Sequence, residues 1–170
     1  MGFSVSATFA ILFTATLLSI GILYVATENA FGYVKEATSD YNNAFLKAKT
    51  SLLEGDLYNY STISGISLYN ITFNVTNEGT TLSPKEWSFI YDGNLVTTAG
   101  VVDIQNESYL LPGEVILVTV QNVPKDTLVH SLVINTETGC NLKINWEWVG
   151  NITVGWPKLL VSAWYCPVEG

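Results

Sequence analysis

The chain begins with a long apolar segment. No charged side chain occurs between Gly2 and Thr27, and the most apolar part, residues 3–26, contains 24 residues. At about 1.5 Å of rise per residue, a helix of this length extends about 36 Å, which exceeds the roughly 30 Å hydrocarbon core of a bilayer. The pattern therefore predicts a single helix that is long enough to span a membrane.

A cleaved secretory signal peptide is the competing interpretation of this segment. Signal peptides carry a basic region before a shorter apolar stretch, and a small-residue cleavage site after it. Here Gly2 follows Met1 with no Lys or Arg before the apolar run, and no Ala-x-Ala-like site follows the run. We therefore expect a membrane anchor that is not cleaved.

Helical periodicity continues beyond the apolar segment. Seven positions recur at alternating spacings of three and four, namely Phe31, Val34, Thr38, Tyr41, Phe45, Ala48 and Leu52. This is the a/d pattern of a coiled coil, and the charged residues of the region lie off it. The stripe could form a seam with another helix or pack on the chain's own β-domain, and the pattern favours neither. Gly55-Asp56 predicts the end of the helical region, which then covers residues 1–55.

From about Leu57 the pattern changes to short apolar runs about ten residues apart. Residues 69–75 alternate between apolar and polar, as in a strand with one buried face. Further strands are predicted over 87–91, 115–120, 128–135, 141–149 and 158–165, with turns at 77–79, 92–94, 112–114 and 136–139. About seven short strands without helical periodicity predict an all-β, antiparallel, immunoglobulin-like sandwich over residues 56–170.

Charge and composition exclude several classes of function. The net charge is −8, and the seven basic residues are scattered lysines. Such a chain cannot neutralise a row of phosphates, so we expect no nucleic-acid partner.

The single histidine, His130, is in phase with apolar neighbours and has no partner at ligand spacing, which favours a structural role in a strand over a metal site. The acidic residues stand singly beside turns, and no Asp-x-Asp run indicates a calcium site.

No catalytic motif is apparent. The chain lacks G-x-S-x-G, H-E-x-x-H, a phosphate-binding glycine loop and C-x-x-C. We therefore expect no enzymatic activity, no cofactor and no small-molecule substrate. Trp146 and Trp148 share one face of a predicted strand, and we expect them in the core, with a ligand platform as the alternative.

Two features suit a β-domain outside the cytoplasm. Cys140 and Cys166 are predicted to form a disulfide, with two buried free thiols as the alternative. Five Asn-x-Ser/Thr sequons follow the apolar segment, at Asn59, Asn70, Asn74, Asn106 and Asn151. Glycan acceptors must lie on the translocated side of the membrane. We expect glycosylation at one or more of them, with Asn74 and Asn106 favoured because they adjoin predicted turns.

Four stretches of the chain resemble archaellum accessory proteins of the FlaF/FlaG family: MGFSVSATFAILF, ILYVATENAFGYVKEA, ITFNVTNEGTTLSPKEWSFIYDGNLV and LLPGEVILVTV. The third has the family's strand, N-x-G turn, connector and strand ending in Asp-Gly, and the fourth its Pro-Gly-Glu strand. The resemblance covers roughly residues 1–135. The Trp- and Cys-rich end, residues 140–170, departs from it.

The resemblance implies a stator of the archaellum, the archaeal flagellum. A single membrane helix would carry a β-sandwich in the pseudoperiplasm, where the sandwich tethers the motor to the surface layer. The implied partners are a surface-layer protein, other archaellum components and the membrane, with oligomers formed through the helix.

Two other classes compete with the stator. In a filament subunit, either an archaellin or a type IV pilin-like protein, the helix builds the filament core and the β-domain is the glycosylated exterior. A precursor of that class would carry a basic leader, which this sequence does not show before Gly2. A surface module that binds carbohydrate or calcium is the third class.

Overall fold

A computed structural model describes residues 3–62, 67–96, 100–105 and 108–167. The described chain consists of one long apolar helix followed by two antiparallel β-sheets that pack as a sandwich, which confirms the predicted fold class. The elements are α1 (Phe3–Thr50), β1 (Leu53–Thr62), β2 (Leu68–Asn77), β3 (Ser88–Tyr91), β4 (Asn94–Val96), β5 (Val102–Ile104), β6 (Val115–Pro124), β7 (Val129–Asn135), β8 (Asn141–Gly150) and β9 (Gly155–Tyr165). A 3-10 turn, Pro84–Glu86, precedes β3.

The two sheets enclose the core between them. One has the strand order β1-β2-β6-β5 and the other β4-β3-β7-β8-β9. Alternation places every second residue of a strand inward, and the four apolar inward residues of β2 are fully buried: Tyr69, Ile71, Phe73 and Val75. The facing sheet contributes Trp146 and Trp148, which lie in the core as expected.

The helix ends earlier than the sequence predicted. Its last residue is Thr50, and β1 already begins at Leu53, so the strand takes residues that the sequence pattern assigned to the helix. Gly55 is not a helix terminator. It lies in β1 where a Cβ would come within 2.9 Å of the Ile144 side chain, so its lack of a side chain allows the two sheets to approach closely.

The strands that the sequence predicted are present, but β1, β4 and β5 were missed. The alternating segments appear as β2, β3, β6, β7, β8 and β9, although β9 begins at Gly155 and not at residue 158. Strands β4 and β5 have three residues each, which is too short to show a period. Strand β1 was missed because its second half, including Tyr58 and Tyr60, is exposed and does not alternate.

The chain divides into two compact units, Met1–Ala44 and Phe45–Gly170. The described part of the first unit is helical throughout. The second unit contains both sheets and the last six residues of α1, because Ala48 is buried among side chains of the sandwich.

Candidate assembly site

The first unit exposes an apolar helix. Large apolar side chains that are more than half exposed follow one another along it, including Leu18, Ile22 and Leu23. Within Ala7–Thr50, the most apolar 18-residue window has a mean hydropathy of 2.2 and none of it is buried, so the helix is long and apolar enough to cross a membrane. An apolar surface of this extent is unfavourable in water and marks a site of association with lipid or with other protein.

Six residues form a continuous apolar strip on one side of this helix, here called the helix strip: Leu17, Leu18, Gly21, Ile22, Val25 and Ala26. They recur at spacings of one, three and four, so they lie on the same helical face. Gly21 has no side chain, and apart from its own helix backbone and chain neighbours no atom lies within 4 Å of the place where its Cβ would be. A small residue at such a point lets another helix approach closely.

Several hydroxyl groups of the helix are satisfied within it. Thr14 Oγ1 donates to the Ala10 carbonyl at 3.0 Å, and Ser19 Oγ donates to the Ala15 carbonyl at 2.9 Å. Thr16, Thr27 and Thr38 donate in the same way to the carbonyl four residues earlier. Side chains paired in this manner present no unsatisfied donor to an apolar environment, so these threonines and Ser19 are compatible with burial among lipids or other helices.

The predicted helix–helix seam is divided by the structure. Phe31, Val34 and Tyr41 are each more than 60% exposed, Thr38 lies on the same exposed helix, and Phe45 is 36% exposed. Ala48 is 5% exposed and packs on Cys140 and Cys166, so at this position the stripe contacts the chain's own β-domain. Leu52 lies beyond the end of the helix and cannot belong to a helical seam. The seam from Phe31 to Phe45 stays a prediction.

The last turn of α1 is held by a group of contacts that we call the junction cluster: Lys47, Ala48, Ser51, Glu137, Cys140 and Cys166. A disulfide joins Cys140 and Cys166, whose Cα atoms are 4.3 Å apart. Cys166 Sγ lies 3.1 Å and Cys140 Sγ 3.6 Å from the Ala48 carbonyl oxygen. The disulfide that the sequence predicted therefore ties the carboxyl end of the chain to β8, beside the end of the helix.

A single carboxylate at the junction cluster connects the last turn of α1 with the segment around the 3-10 turn. Glu137 lies in the β7–β8 turn, and its Oε1 accepts from the Lys47 ammonium at 3.1 Å and the Ser83 amide at 2.8 Å. Its Oε2 accepts from the indole nitrogen of Trp87 at 3.1 Å. The Glu137 side chain is only 10% exposed, so its charge is compensated by these donors rather than by water.

The turn predicted at residues 77–79 caps the end of the helix. The Thr80 amide donates to the Thr50 carbonyl at 3.1 Å, and the Glu78 amide donates to the Leu52 carbonyl at 2.9 Å. The first bond satisfies a carbonyl that the helix end leaves unpaired, and the second pairs the segment that follows the helix. Between them, a Cβ on Gly79 would overlap the Thr50 carbonyl oxygen and lie 2.8 Å from Ser51 Cα, so only glycine fits.

His130 lies in a polar group at the other end of β7. Its Nδ1 is 2.8 Å from an Asp92 carboxylate oxygen and 3.2 Å from the Tyr91 hydroxyl, and its Nε2 is 3.3 Å from an Asp126 carboxylate oxygen. Nearby, Trp146 Nε1 donates to the Tyr69 hydroxyl at 2.9 Å. No three His, Cys, Asp or Glu side chains in the described ranges are grouped so as to hold a metal ion.

Two tyrosines beside this group have raised pKa values. Burial raises the pKa of Tyr69 to about 12, an effect that the hydrogen bond from Trp146 opposes. Burial also raises the pKa of Tyr91 well above its ordinary range, and the adjacent Asp92 carboxylate adds to the increase. A phenolate in either place would lose solvation and, at Tyr91, be repelled by a neighbouring charge.

The sequons occupy different structural settings. Asn70 and Asn74 lie in β2, between two neighbouring strands, and Asn59 lies in β1. Asn151 lies in the exposed turn between β8 and β9. Asn106 is outside the described residues. The sequence favoured Asn74 and Asn106 for their nearby turns, but the tripeptide itself is the same in a strand and in a turn.

The fold and the exposed helix define a class of protein in which one long apolar helix is joined to a β-sandwich. No family model matches the chain, and no curated protein matches it in sequence. In fold it is similar to a chain in the solved structure of the archaeal flagellum of Methanospirillum hungatei strain JF1, with a TM-score of 0.66 and 18% sequence identity. The similarity covers 91% of this chain and 98% of that chain.

Proposed function

We propose that this chain is a structural, non-enzymatic subunit of an archaeal flagellum, or archaellum. In this proposal α1 packs with the helices of other copies in the filament core, and the sandwich lies outside. The fold similarity carries the proposal, because it extends over nearly all of both chains and so includes the helix as well as the sandwich. A similarity of sandwiches alone would fit many unrelated surface proteins.

The properties of the helix support a filament core. Its apolar residues are exposed in a single chain, so another surface must cover them. The helix strip offers a close approach at Gly21, and the hydroxyl groups of Thr14 and Ser19 are already paired within the helix. Copies of the same helix would provide a matching apolar partner at every position.

A membrane-anchored stator is the second candidate. The observation that favours it is that α1 is long and apolar enough to cross a bilayer by itself. The sandwich would then bind a surface-layer protein outside the cell. The two candidates differ in what covers the helix: other copies of α1 in the filament, or lipid in the stator.

Electron microscopy of the purified full-length chain after removal of detergent tests the filament proposal. We expect helical filaments with α1 at the centre. The variant Ile22→Lys should not assemble, because a lysine in apolar surroundings costs about 3 kcal/mol per subunit. The matched control Ser39→Lys adds the same charge where α1 already carries Lys35 and Asp40, and it should still assemble.

The opposite outcome would support the stator. Isolated oligomers that retain detergent, with no filaments from a folded wild-type chain, would overturn the filament proposal. Binding of a surface-layer protein to residues 45–170 would then establish the tether. The fragment must begin at Phe45 and not near residue 57, because Ala48 and Leu53 are buried parts of the sandwich.

A further inference from the structure

Asn151 is held in a defined conformation at the tip of the β8–β9 hairpin. Its Oδ1 accepts three hydrogen bonds, from the Val154 amide at 2.6 Å, the Thr153 hydroxyl at 2.9 Å and the Thr153 amide at 3.0 Å. Its main-chain carbonyl accepts from Trp148 Nε1 at 3.0 Å. Because Trp148 is 4% exposed, the turn is anchored to the core of the sandwich.

Among the sequons that the structure describes, we infer that Asn151 is the one that accepts an N-linked glycan while the protein is folded. The hydroxyl of its own sequon, Thr153, already donates to the Asn151 carboxamide oxygen. With three donors on Oδ1, the carboxamide plane is fixed, and none of the hydrogen bonds among the described residues uses Nδ2. Asn151 Nδ2, the atom that must react, is therefore held in a fixed orientation by the bonds to Oδ1 and is itself not engaged in any of these bonds.

The chemistry is a glycosyl transfer from a lipid-linked oligosaccharide. Asn151 Nδ2 forms a bond to the anomeric carbon of the first sugar, and the bond from that carbon to the lipid phosphate oxygen breaks. The phosphate leaves with the electron pair, and Nδ2 gives up one proton to a base of the transferase. The three donors on Oδ1 stabilise the negative charge that develops on the carboxamide as this proton leaves.

The sequons in β2 are poor acceptors by comparison. The residues in the middle of these tripeptides, Ile71 and Val75, are fully buried, and the strand is paired on both sides. Asn70 Oδ1 accepts from the Asn122 amide at 2.9 Å, and the Thr72 hydroxyl pairs with the Thr119 hydroxyl at 3.0 Å. A transferase could bind these tripeptides only after β2 had opened.

Asn59 is exposed but belongs to a paired strand. It lies opposite Thr72 of β2, and its Oδ1 accepts from the Tyr60 amide at 2.8 Å. In contrast, the middle residue of the Asn151 sequon, Ile152, is 57% exposed, and Val154 is 72% exposed. A glycan at Asn151 would cover these two apolar side chains. The inference requires only that the sandwich is exported, which both candidate functions share.

Glycosylation in vitro tests the inference independently of either function. The full-length chain in detergent is incubated with a single-subunit oligosaccharyltransferase and a lipid-linked oligosaccharide, and site occupancy is measured by mass spectrometry of peptides. In the folded chain we expect Asn151 to be modified at least about tenfold faster than Asn59, Asn70 or Asn74, because the strands must open before a transferase can bind those sites. In the reduced and denatured chain this preference should disappear.

Two variants control for the sequon itself. Thr153→Ala should abolish modification of Asn151, and Thr153→Ser should retain it, while Thr76→Ala should remove only the Asn74 sequon and leave Asn151 occupancy unchanged. Near-ultraviolet circular dichroism shows whether each variant is folded. An unmodified Asn151 in the folded chain, or a folded chain in which Asn70 or Asn74 is modified as fast as Asn151, would overturn the inference.

Discussion

The Glu137 carboxylate accepts a hydrogen bond from the indole of Trp87, with 3.1 Å between Oε2 and Nε1. The two residues are 50 positions apart, and the same carboxylate also accepts from the Ser83 amide and from Lys47. One side chain in the β7–β8 turn therefore connects the segment before β3 with the last turn of α1. This connection depends on a nearly buried charge, so its removal should be measurable.

Glu137→Ala should destabilise the sandwich by about 2 kcal/mol, because it leaves the Ser83 amide and the Trp87 indole nitrogen without an acceptor in a partly buried place. Lys47→Ala is the matched control. The Lys47 side chain is 42% exposed, so loss of its ion pair should cost no more than about 1 kcal/mol. Denaturant unfolding of the full-length chain in detergent, followed by tryptophan fluorescence, measures both. Equal losses in the two variants would contradict the role assigned to Glu137.

Replacement of both cysteines by alanine should lower the free energy of unfolding by about 3.5 kcal/mol, the chain-entropy value for a loop closed across 26 positions. The loss should be accompanied by faster amide hydrogen exchange near Ala48, because both sulfur atoms lie against its carbonyl. Thermal unfolding and hydrogen exchange of the variant and the oxidised wild type provide the measurement. Two alkylatable thiols in the unreduced native protein would show that the bond does not form.

The sandwich should lose stability at alkaline pH. Because the pKa of Tyr69 rises from its ordinary value of 10 to about 12 on folding, the folded chain keeps a proton that the unfolded chain has lost. This contribution is fully present below pH 10 and is lost as the pH rises to about 12. The pKa of Tyr91 is raised for the same main reason, burial, and adds in the same direction.

Unfolding free energies measured from pH 8 to pH 12 test this dependence. Tyr69→Phe should be less stable than wild type at pH 8, because Trp146 Nε1 loses its acceptor, but its stability should decline less steeply above pH 10. Tyr109→Phe, which changes an exposed tyrosine, should retain the wild-type slope. An unchanged slope in Tyr69→Phe would show that Tyr69 does not titrate as its burial requires.

Much of the architecture was predictable because the signals that specify it are local. An uncharged, apolar run of 24 residues is long enough to span a bilayer as a helix, so its structure could be predicted from composition and length. The alternation in β2 predicts one buried face, and Tyr69 and Phe73 are indeed fully buried. With only Cys140 and Cys166 in the chain, a disulfide had one possible pairing.

The end of the helix and the ranking of the sequons depended on tertiary structure. Gly55 and Gly79 suggest terminators or turns in the sequence, but their need for glycine comes from atoms of Ile144 and Thr50, far away along the chain. In the sequence, nothing distinguishes Glu137 from the other acidic residues beside turns. Its role follows from the folded structure, in which Lys47, Ser83 and Trp87 donate to its carboxylate.

Asn74 and Asn151 belong to the same tripeptide pattern, Asn-x-Thr, and the sequence alone favoured Asn74 for its nearby turn. The paired neighbours of β2 and the anchored β8–β9 turn are the basis on which we infer Asn151 instead. Periodicity shows that a strand needs one buried face, and composition shows that the helix needs apolar surroundings. The distant residues that contact each segment are determined only when the two sheets pack. These contacts join residues far apart along the chain, and no local pattern in the sequence indicates such pairs.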